Sequence, residues 1–275
     1  MYRKIGFIGT GNMGSALASA VAKSGIASAD ALLLSNRTPA KAQAVATALG
    51  LADTAVVDNT TIAADCDLIF LGVKPQMMAD MLETLHDPLF ARATAGDPFV
   101  LCTMAAGLSC ERIRAMAGLP SAPVIRIMPN TPAAIGKGVI QVCSLGVTEQ
   151  QLSDFELLLA PAGLVDRIDE HLIDAASAVS GCGPAFAYLF AEALADGAVA
   201  CGLPRSKAIT YAAAMLEGSA ALVLESGKHP GVLKDAVCSP GGTTIQGVRV
   251  LEENGFRGAV MDAVIAAYEK TVGLR

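Results

Sequence analysis

The chain has 275 residues, of which 53% are hydrophobic and 17% charged, carries a formal net charge of −6 and contains no tryptophan. That length accommodates two domains or one large one, with a substantial core. The acidic balance argues against nucleic acid or an anionic membrane as partner, but leaves room for an anionic ligand held by local groups. No run reaches the roughly 18 uncharged apolar residues of a membrane span; the longest candidate, Pro184 to Gly202, is interrupted by Glu192 and Asp196. Met1-Tyr2-Arg3-Lys4 runs straight into the first apolar segment and leaves no room for a signal peptide, so a soluble, cytoplasmic protein is expected. The seven cysteines (Cys66, Cys102, Cys110, Cys143, Cys182, Cys201, Cys238) form no Cys-x-x-Cys pair and read as buried thiols in a reducing compartment. The three histidines (His86, His171, His229) are scattered, and no metal is expected.

Lys4 to Ile8 reads as a buried strand and Asn12 to Ser24 as a helix of small and apolar residues. Between them Gly9, Gly11 and Gly14 have the spacing of a dinucleotide-binding turn. The first glycine permits the tight turn, the second a close approach of backbone to pyrophosphate, and the third close packing of helix on strand. The plain alternative is a turn with no ligand. Ala31 to Leu34 is a second strand, and Thr38-Pro39 opens a helix, with Thr as N-cap and Pro at the first helical position, that Gly50 ends. Thr54 to Val57, Leu68 to Val73, Phe99 to Met104 and Val124 to Met128 are further strands, with a helix from Ser109 to Ala117 closed by Gly118. Strands alternating with helices predict a doubly wound α/β (Rossmann) sheet, with the glycine turn after its first strand.

Val139 to Ser144 is a strand candidate, and Thr148-x-x-Gln151 is a capping box for a helix that points Leu152, Phe155 and Leu159 inward and stops at Pro161. Gly163 to Ile168 is the last strand. From Glu170 only helices follow, at about 170–179, 184–201, 204–226, 230–237, 243–253 and 256–272. The expected division is therefore a dinucleotide-binding domain over 1–168 and an all-helical domain over 169–275. Pro184 to Gly202 and Ala208 to Leu224 are apolar nearly all round, so each must be buried on every side. The helical part is too small to do this alone, which predicts a homodimer with interleaved helical domains; one large monomer core is the alternative.

About 20 residues past such a glycine turn, an acidic residue selects NAD, whereas arginine and hydroxyls accommodate a 2′-phosphate. Here the second strand ends in Ser35-Asn36-Arg37, with no carboxylate. Arg37 offers a charged planar fork, so NADP(H) is favoured over NAD(H). Its plain alternative is a solvated arginine at the mouth of a helix.

Several motifs together resemble the pyrroline-5-carboxylate reductases, over nearly the whole chain. They are Ile8-Gly9-Thr10-Gly11-Asn12-Met13-Gly14, Val73-Lys74-Pro75-Gln76, Met128-Pro129-Asn130-Thr131-Pro132, Ser180-Gly181-Cys182-Gly183-Pro184-Ala185 and Asp235-Ala236-Val237-Cys238-Ser239-Pro240-Gly241-Gly242-Thr243-Thr244. The resemblance implies reduction of L-1-pyrroline-5-carboxylate to L-proline, the last step of proline biosynthesis, with NADPH or NADH as hydride donor. It also implies an N-terminal Rossmann domain and a C-terminal helical dimerisation domain, with dimers assembled in some relatives into a larger ring. Carried over position by position, cofactor contacts are Ile8, Gly9, Thr10, Gly11, Asn12, Met13, Ser35, Asn36, Arg37, Asn59, Gly72, Val73, Lys74, Pro75, Met104, Ala105 and Ala106. Substrate contacts are Glu170, Val237, Ser239, Gly241, Gly242, Thr243 and Thr244. Ala236, where some relatives carry Asn, and Met104, in place of a smaller residue, depart from the pattern.

In the stretch Ser239 to Thr244, two glycines allow a backbone curl that presents N–H groups, and a helix starting at the threonines makes an anion site for the substrate carboxylate. Thr244 is the expected catalytic residue, its hydroxyl near the ring nitrogen; simple N-capping is the alternative for both threonines. Glu170 either favours the cationic iminium or only sits well in the first turn of a helix. Lys74 reads better as a residue along the cofactor than as a general acid, and Asn130 as a residue that fixes loop geometry. A β-hydroxyacid dehydrogenase would need a lysine on the helix after the Rossmann domain, but there is no lysine between Lys137 and Lys207. A non-catalytic dinucleotide sensor would need the glycine turn but not the Ser239–Thr244 loop.

Overall fold

The computed structural model describes residues 1–273. Strands β1 (Ile5–Ile8), β2 (Leu32–Ser35), β3 (Leu68–Leu71), β4 (Val100–Thr103), β5 (Val124–Met128), β6 (Gly138–Leu145) and β7 (Gly163–Arg167) form one seven-stranded sheet in the order β2-β1-β3-β4-β5-β6-β7. All neighbours are parallel except β5 and β6, which run antiparallel. Every residue of β1, β3 and β4 is buried, as a sheet covered on both faces requires. Along β3, Leu68 and Phe70 enter one core while Ile69 and Leu71 enter the other, the period of two of a pleated strand.

Helices α1 (Asn12–Lys23), α2 (Pro39–Ala48) and α6 (Glu149–Leu159) line the first core. It is centred on an aromatic column in which the Phe7 and Phe70 rings stack 4.3 Å apart and Phe155 follows at 5.8 Å. Helices α3 (Asn59–Asp65), α4 (Met78–Ala95), α5 (Cys110–Ala117) and α7 (Ile173–Ser180) line the second. The capping box at Thr148 and Gln151 is complete, and Phe155 and Leu159 are fully buried, with Leu152 packed at the edge of that core.

One expected strand is absent, and three local features go beyond what the sequence led us to expect. Thr54 to Val57 is not a strand: Asp53–Ala55 forms a 3₁₀ turn, and only Val56 bridges to Leu34. Asp58 then caps α3 by accepting the Thr61 N–H at 2.7 Å, so the chain turns before a strand can extend. Thr38 occupies the N-cap position of α2, with Pro39 at its first helical position, but its hydroxyl makes no cap; Asn36 Oδ1 accepts the Thr38 N–H instead. The pairing of β5 with β6 is antiparallel, because the intervening segment turns back through a 3₁₀ helix at Thr131–Ile135 rather than crossing over. Helices α3 and α4 carry the chain around β3, although α4 holds Pro88 inside it.

Two compact units emerge from the contacts: Met1–Gly181 together with the C-terminal segment that begins at Tyr268, and Cys182–Ala267. The second is wholly helical. It holds α8 (Gly183–Ala200), α9 (Arg205–Ser226), α10 (Pro230–Ala236), α11 (Thr243–Glu253) and most of α12 (Phe256–Val272). Within this unit α8 packs on α9, and the Phe190 and Phe256 rings lie 5.6 Å apart. Its buried residues are few: Ala195, Ala208 and Ala212. Leu189 is 67% and Leu224 80% exposed, and Tyr188, Ile209, Tyr211 and Leu222 are exposed as well. The apolar surfaces of α8 and α9 are thus not covered within one chain. Two stretches, Glu170–Ala200 and Arg205–Ser226, are long and apolar enough to cross a membrane by length and composition, with a mean hydropathy of 1.3 each. That is a second possible meaning of the same bare surface.

Candidate active site

The turn after β1 is held by backbone packing that excludes side chains. Gly9 has φ +101°, and a Cβ there would lie 2.5 Å from the Gly72 carbonyl oxygen. A Cβ on Gly14 would lie 2.1 Å from the Gly9 oxygen, and one on Gly72 2.6 Å from the same atom. Gly9 N–H donates to Ser35 O at 2.8 Å and Gly72 N–H to Ile8 O at 2.7 Å, so the ends of β1, β2 and β3 lock together. Gly11 is different. Nothing lies within 4 Å of where its Cβ would be, and as the N-cap of α1 it brings no capping side chain. The first-turn N–H groups of α1 are therefore left for a ligand, at the positive end of the helix dipole. The empty space at Gly11 and the uncapped helix fit a pyrophosphate.

Beside this turn lies a groove of about 580 Å³ lined by Thr10, Gly11, Asn12, Ser15, Lys41 and Ala134, among others. Asn36 Nδ2 donates to Thr10 Oγ1 at 2.9 Å and ties the β2 loop to the glycine turn. Ser35 Oγ donates to Asn59 Oδ1 at 2.6 Å. Ser35, Asn36 and Asn59 are thus brought together, with polar atoms engaged with one another and with the turn. Arg37 is exposed and has no hydrogen bond or ion pair among the described residues. Lys41, on the first turn of α2, places a cation at the groove. The sequence reading missed it, although its spacing of four residues from Arg37 was there to be seen.

Gly72, Val73, Lys74 and Pro75 leave the end of β3, and Met104, Ala105 and Ala106 the end of β4, beside the glycine turn on β1. The cofactor candidates Ile8 to Met13 therefore share one sheet edge with both loops. Lys74 is exposed, directly before the 3₁₀ turn that Pro75 starts. Asn130 is buried and fixes its loop: Nδ2 donates to Ser180 O and Oδ1 accepts from Val139 N–H, both at 2.9 Å. Glu170 is held at the start of α5, where Oε1 accepts the Cys110 N–H at 2.8 Å and lies 3.4 Å from an Arg126 nitrogen. Arg126 is itself buried on β5 and bonds Asp174 of α7 at 2.6 Å. Nothing in the sequence pattern pointed to this buried ion pair, because its partners lie 48 residues apart. The Cys102 thiol is pushed well up by burial, and all seven cysteines are free.

In the helical unit, Val237 is exposed after α10, and Ser239-Pro240-Gly241-Gly242 forms a turn closed by Gly242 N–H to Ser239 O at 3.0 Å. Proline second and Gly241 third, at φ +68°, is the arrangement of a type II turn. Gly242 is the N-cap of α11, so the helix starts at Thr243 without a side-chain cap. The capping alternative for Thr243 and Thr244 is thereby removed. Their hydroxyls have no partner among the described residues, and the first-turn N–H groups of α11 remain available for an anion.

Residues 170–274 match the family model described as pyrroline-5-carboxylate reductase dimerisation, and residues 4–94 match the model described as NADP oxidoreductase coenzyme F420-dependent. The chain is 38% identical to pyrroline-5-carboxylate reductase of Escherichia coli over 98% of both chains. It is also 38% identical to that of Pisum sativum over 97% of this chain and 94% of the relative. The chain belongs to the pyrroline-5-carboxylate reductase family. Among solved structures, the Plasmodium falciparum reductase with NADP bound superposes with a TM-score of 0.85 at 31% identity, over 99% of this chain and 98% of that one. Both exposed apolar stretches fall in or across the residues that match the reductase dimerisation model, which favours a protein partner over lipid for their bare surface.

The glycine geometry separates folding from binding in this reductase. Gly11→Ala meets no steric obstacle, so its melting temperature should stay close to that of the parent. Its Kd for NADPH should rise at least about tenfold, or about 1.4 kcal/mol, as read by fluorescence titration.

Proposed function

We propose that the protein reduces L-1-pyrroline-5-carboxylate to L-proline with NADPH, the last step of proline biosynthesis. The observation that carries the reading is the intact Ser239–Thr244 loop, ending on an uncapped helix, in a chain 38% identical to the Escherichia coli reductase over 98% of both chains. The NADP bound in the Plasmodium falciparum relative supports the same cofactor here.

NADPH supplies a hydride to the imine carbon. This chain's residues bind and orient. Gly9 to Met13 and the start of α1 hold the pyrophosphate, and Arg37 with Lys41 accepts the 2′-phosphate, while Ser35, Asn36 and Asn59 shape the loop around them. Gly72 to Pro75 and Met104 to Ala106 border the nicotinamide. Ser239, Gly241, Gly242 and the first amides of α11 receive the substrate carboxylate, with Val237 and Thr243 alongside. Thr244 directs its hydroxyl to the ring nitrogen, which carries the proton that makes the carbon electrophilic. With that much provided by the substrate, alignment of the two rings supplies much of the rate. Glu170, which the resemblance places with the substrate, already has a carboxylate oxygen engaged by Cys110 N–H and Arg126.

The absence of lysine from α8 speaks against a hydroxyacid dehydrogenase of similar plan, and suits an imine that is itself protonated. In this reading the dinucleotide is held before a boundary near residue 168 and substrate and assembly are handled after it, whereas the compact units part later, at Gly181 and Cys182. The protein works as a homodimer joined through its helical domain, in the cytoplasm, with dimers able to assemble into a larger ring. The exposed apolar residues of α8 and α9 support the dimer.

Arg37→Ala should raise KM for NADPH roughly ten- to hundredfold, the worth of a hydrogen bond to a charged group, and leave KM for NADH unchanged. An equal effect on both cofactors removes the 2′-phosphate role. Thr244→Ala should lower kcat by about 10²-fold with NADPH affinity unaltered; unchanged turnover removes Thr244 from the chemistry.

A further inference from the structure

Two thiols and a carboxylate converge away from the cofactor groove. Cys110 opens α5, Cys143 lies on β6 and Glu170 precedes α7. Their sulfur and oxygen ligand atoms all lie within 4.8 Å of one another. Cys110 is 1% and Cys143 8% exposed, whereas the Glu170 side chain retains about a third of its exposure. Glu170 also lines a cavity with Ser109, Arg112, Arg126 and His171. We propose that Cys110, Cys143 and Glu170 form a site for a soft divalent cation of the Zn²⁺ class, with its fourth position open to that cavity.

The donor set and its surroundings support this in three ways. Two sulfurs and one carboxylate oxygen match the ligand preference of Zn²⁺, whose bonds of about 2.3 Å to sulfur and about 2.0–2.2 Å to oxygen need only a small contraction of the observed cluster. The carboxylate is already oriented. Its Oε1 takes the Cys110 N–H and faces Arg126, which leaves Oε2 with no N–H or O–H partner among the described residues, and such outer contacts fix a ligand for its metal. Charge is also conserved. Without metal the neutral thiols, Glu170, Asp174 and Arg126 sum to −1; with a divalent cation bound and the two thiol protons released to solvent, the sum is again −1. Arg126, paired with Asp174 at 2.6 Å, is thus no obstacle to the cation. The site would join α5, β6 and the start of α7, three elements that the sequence separates by dozens of residues, which is why cysteine spacing gave no sign of it.

The test uses the full-length protein, reduced with a phosphine and freed of metal, and titrated with Co²⁺ as a spectroscopic probe. One Co²⁺ per chain should bind with a near-ultraviolet thiolate-to-cobalt charge-transfer band. Cys110→Ser and Cys143→Ser should each diminish that band and weaken binding, and Glu170→Gln, which keeps the side-chain volume, should weaken binding at least about tenfold, or about 1.4 kcal/mol. Cys201→Ser, an exposed thiol outside the cluster, should change nothing. Zn²⁺ at equimolar concentration should raise the melting temperature of the parent and of Cys201→Ser but not of Glu170→Gln, which keeps the conclusion independent of whether the serine variants fold. Absence of a thiolate band in the parent, or unchanged Co²⁺ affinity in Glu170→Gln, overturns the site.

Discussion

The contact on which the dinucleotide half depends is the approach of the Gly9 and Gly72 backbones at the ends of adjacent strands. Gly9 O occupies the space where a Cβ of Gly14 or Gly72 would stand. Three glycines therefore let β1, β3 and α1 come closer than side chains would allow, and this fixes where α1 begins. From there the consequences are local. The uncapped first turn of α1 faces outward at Gly11, Asn36 bridges from the β2 loop to Thr10, and Lys41 lines the groove beside them. A helix dipole and free amides at one sheet edge, with no carboxylate after β2, are the features on which the proposed NADPH site rests.

The helical half follows from a different constraint. An apolar helix surface must be covered, and within one chain α8 and α9 cover each other only along a seam of alanines at 195, 208 and 212. Small residues let the helices approach closely but leave Tyr188, Leu189, Ile209 and Leu224 facing out. A monomer with that surface has an unfilled demand for burial, and the same residues that look like a membrane span by hydropathy fall in the region that matches the reductase dimerisation model. The C-terminal loop uses the same economy of side chains. Pro240, Gly241 and Gly242 bring the chain into α11 without a side-chain cap, which leaves the first amides of the helix and the threonine hydroxyls without a partner among the described residues.

Much of this was legible in the sequence because it is written in short-range signals. Prolines at 204 and 230 and glycines at 118, 202 and 255 punctuate the helices where the chain bends, and the capping box at Thr148 marks α6 to the residue. Val56-Val57 looked like a strand from its β-branched residues, but the neighbouring aspartates, each with a turn or cap to make, decided otherwise. Pro88 concealed α4, since a proline inside a helix is tolerated only where tertiary packing outweighs its cost. Strand direction at β5–β6 was not legible at all, because alternation reports which face a residue takes and not which way the chain runs. The site divides along the same line. The glycine turn, Arg37 and the Ser239–Thr244 loop are contiguous motifs, whereas Arg126 with Asp174, and Cys110 with Cys143 and Glu170, exist only after the chain has folded.

The central claim is that this glycine cradle and this C-terminal loop serve one reaction, reduction of a cyclic imino acid by NADPH. The direct measurement follows NADPH absorbance on addition of pyrroline-5-carboxylate to the purified protein, with chiral analysis of the product. The structure predicts oxidation of NADPH matched mole for mole by L-proline, and a lower kcat/KM with NADH. No imine-dependent oxidation of either cofactor would contradict it.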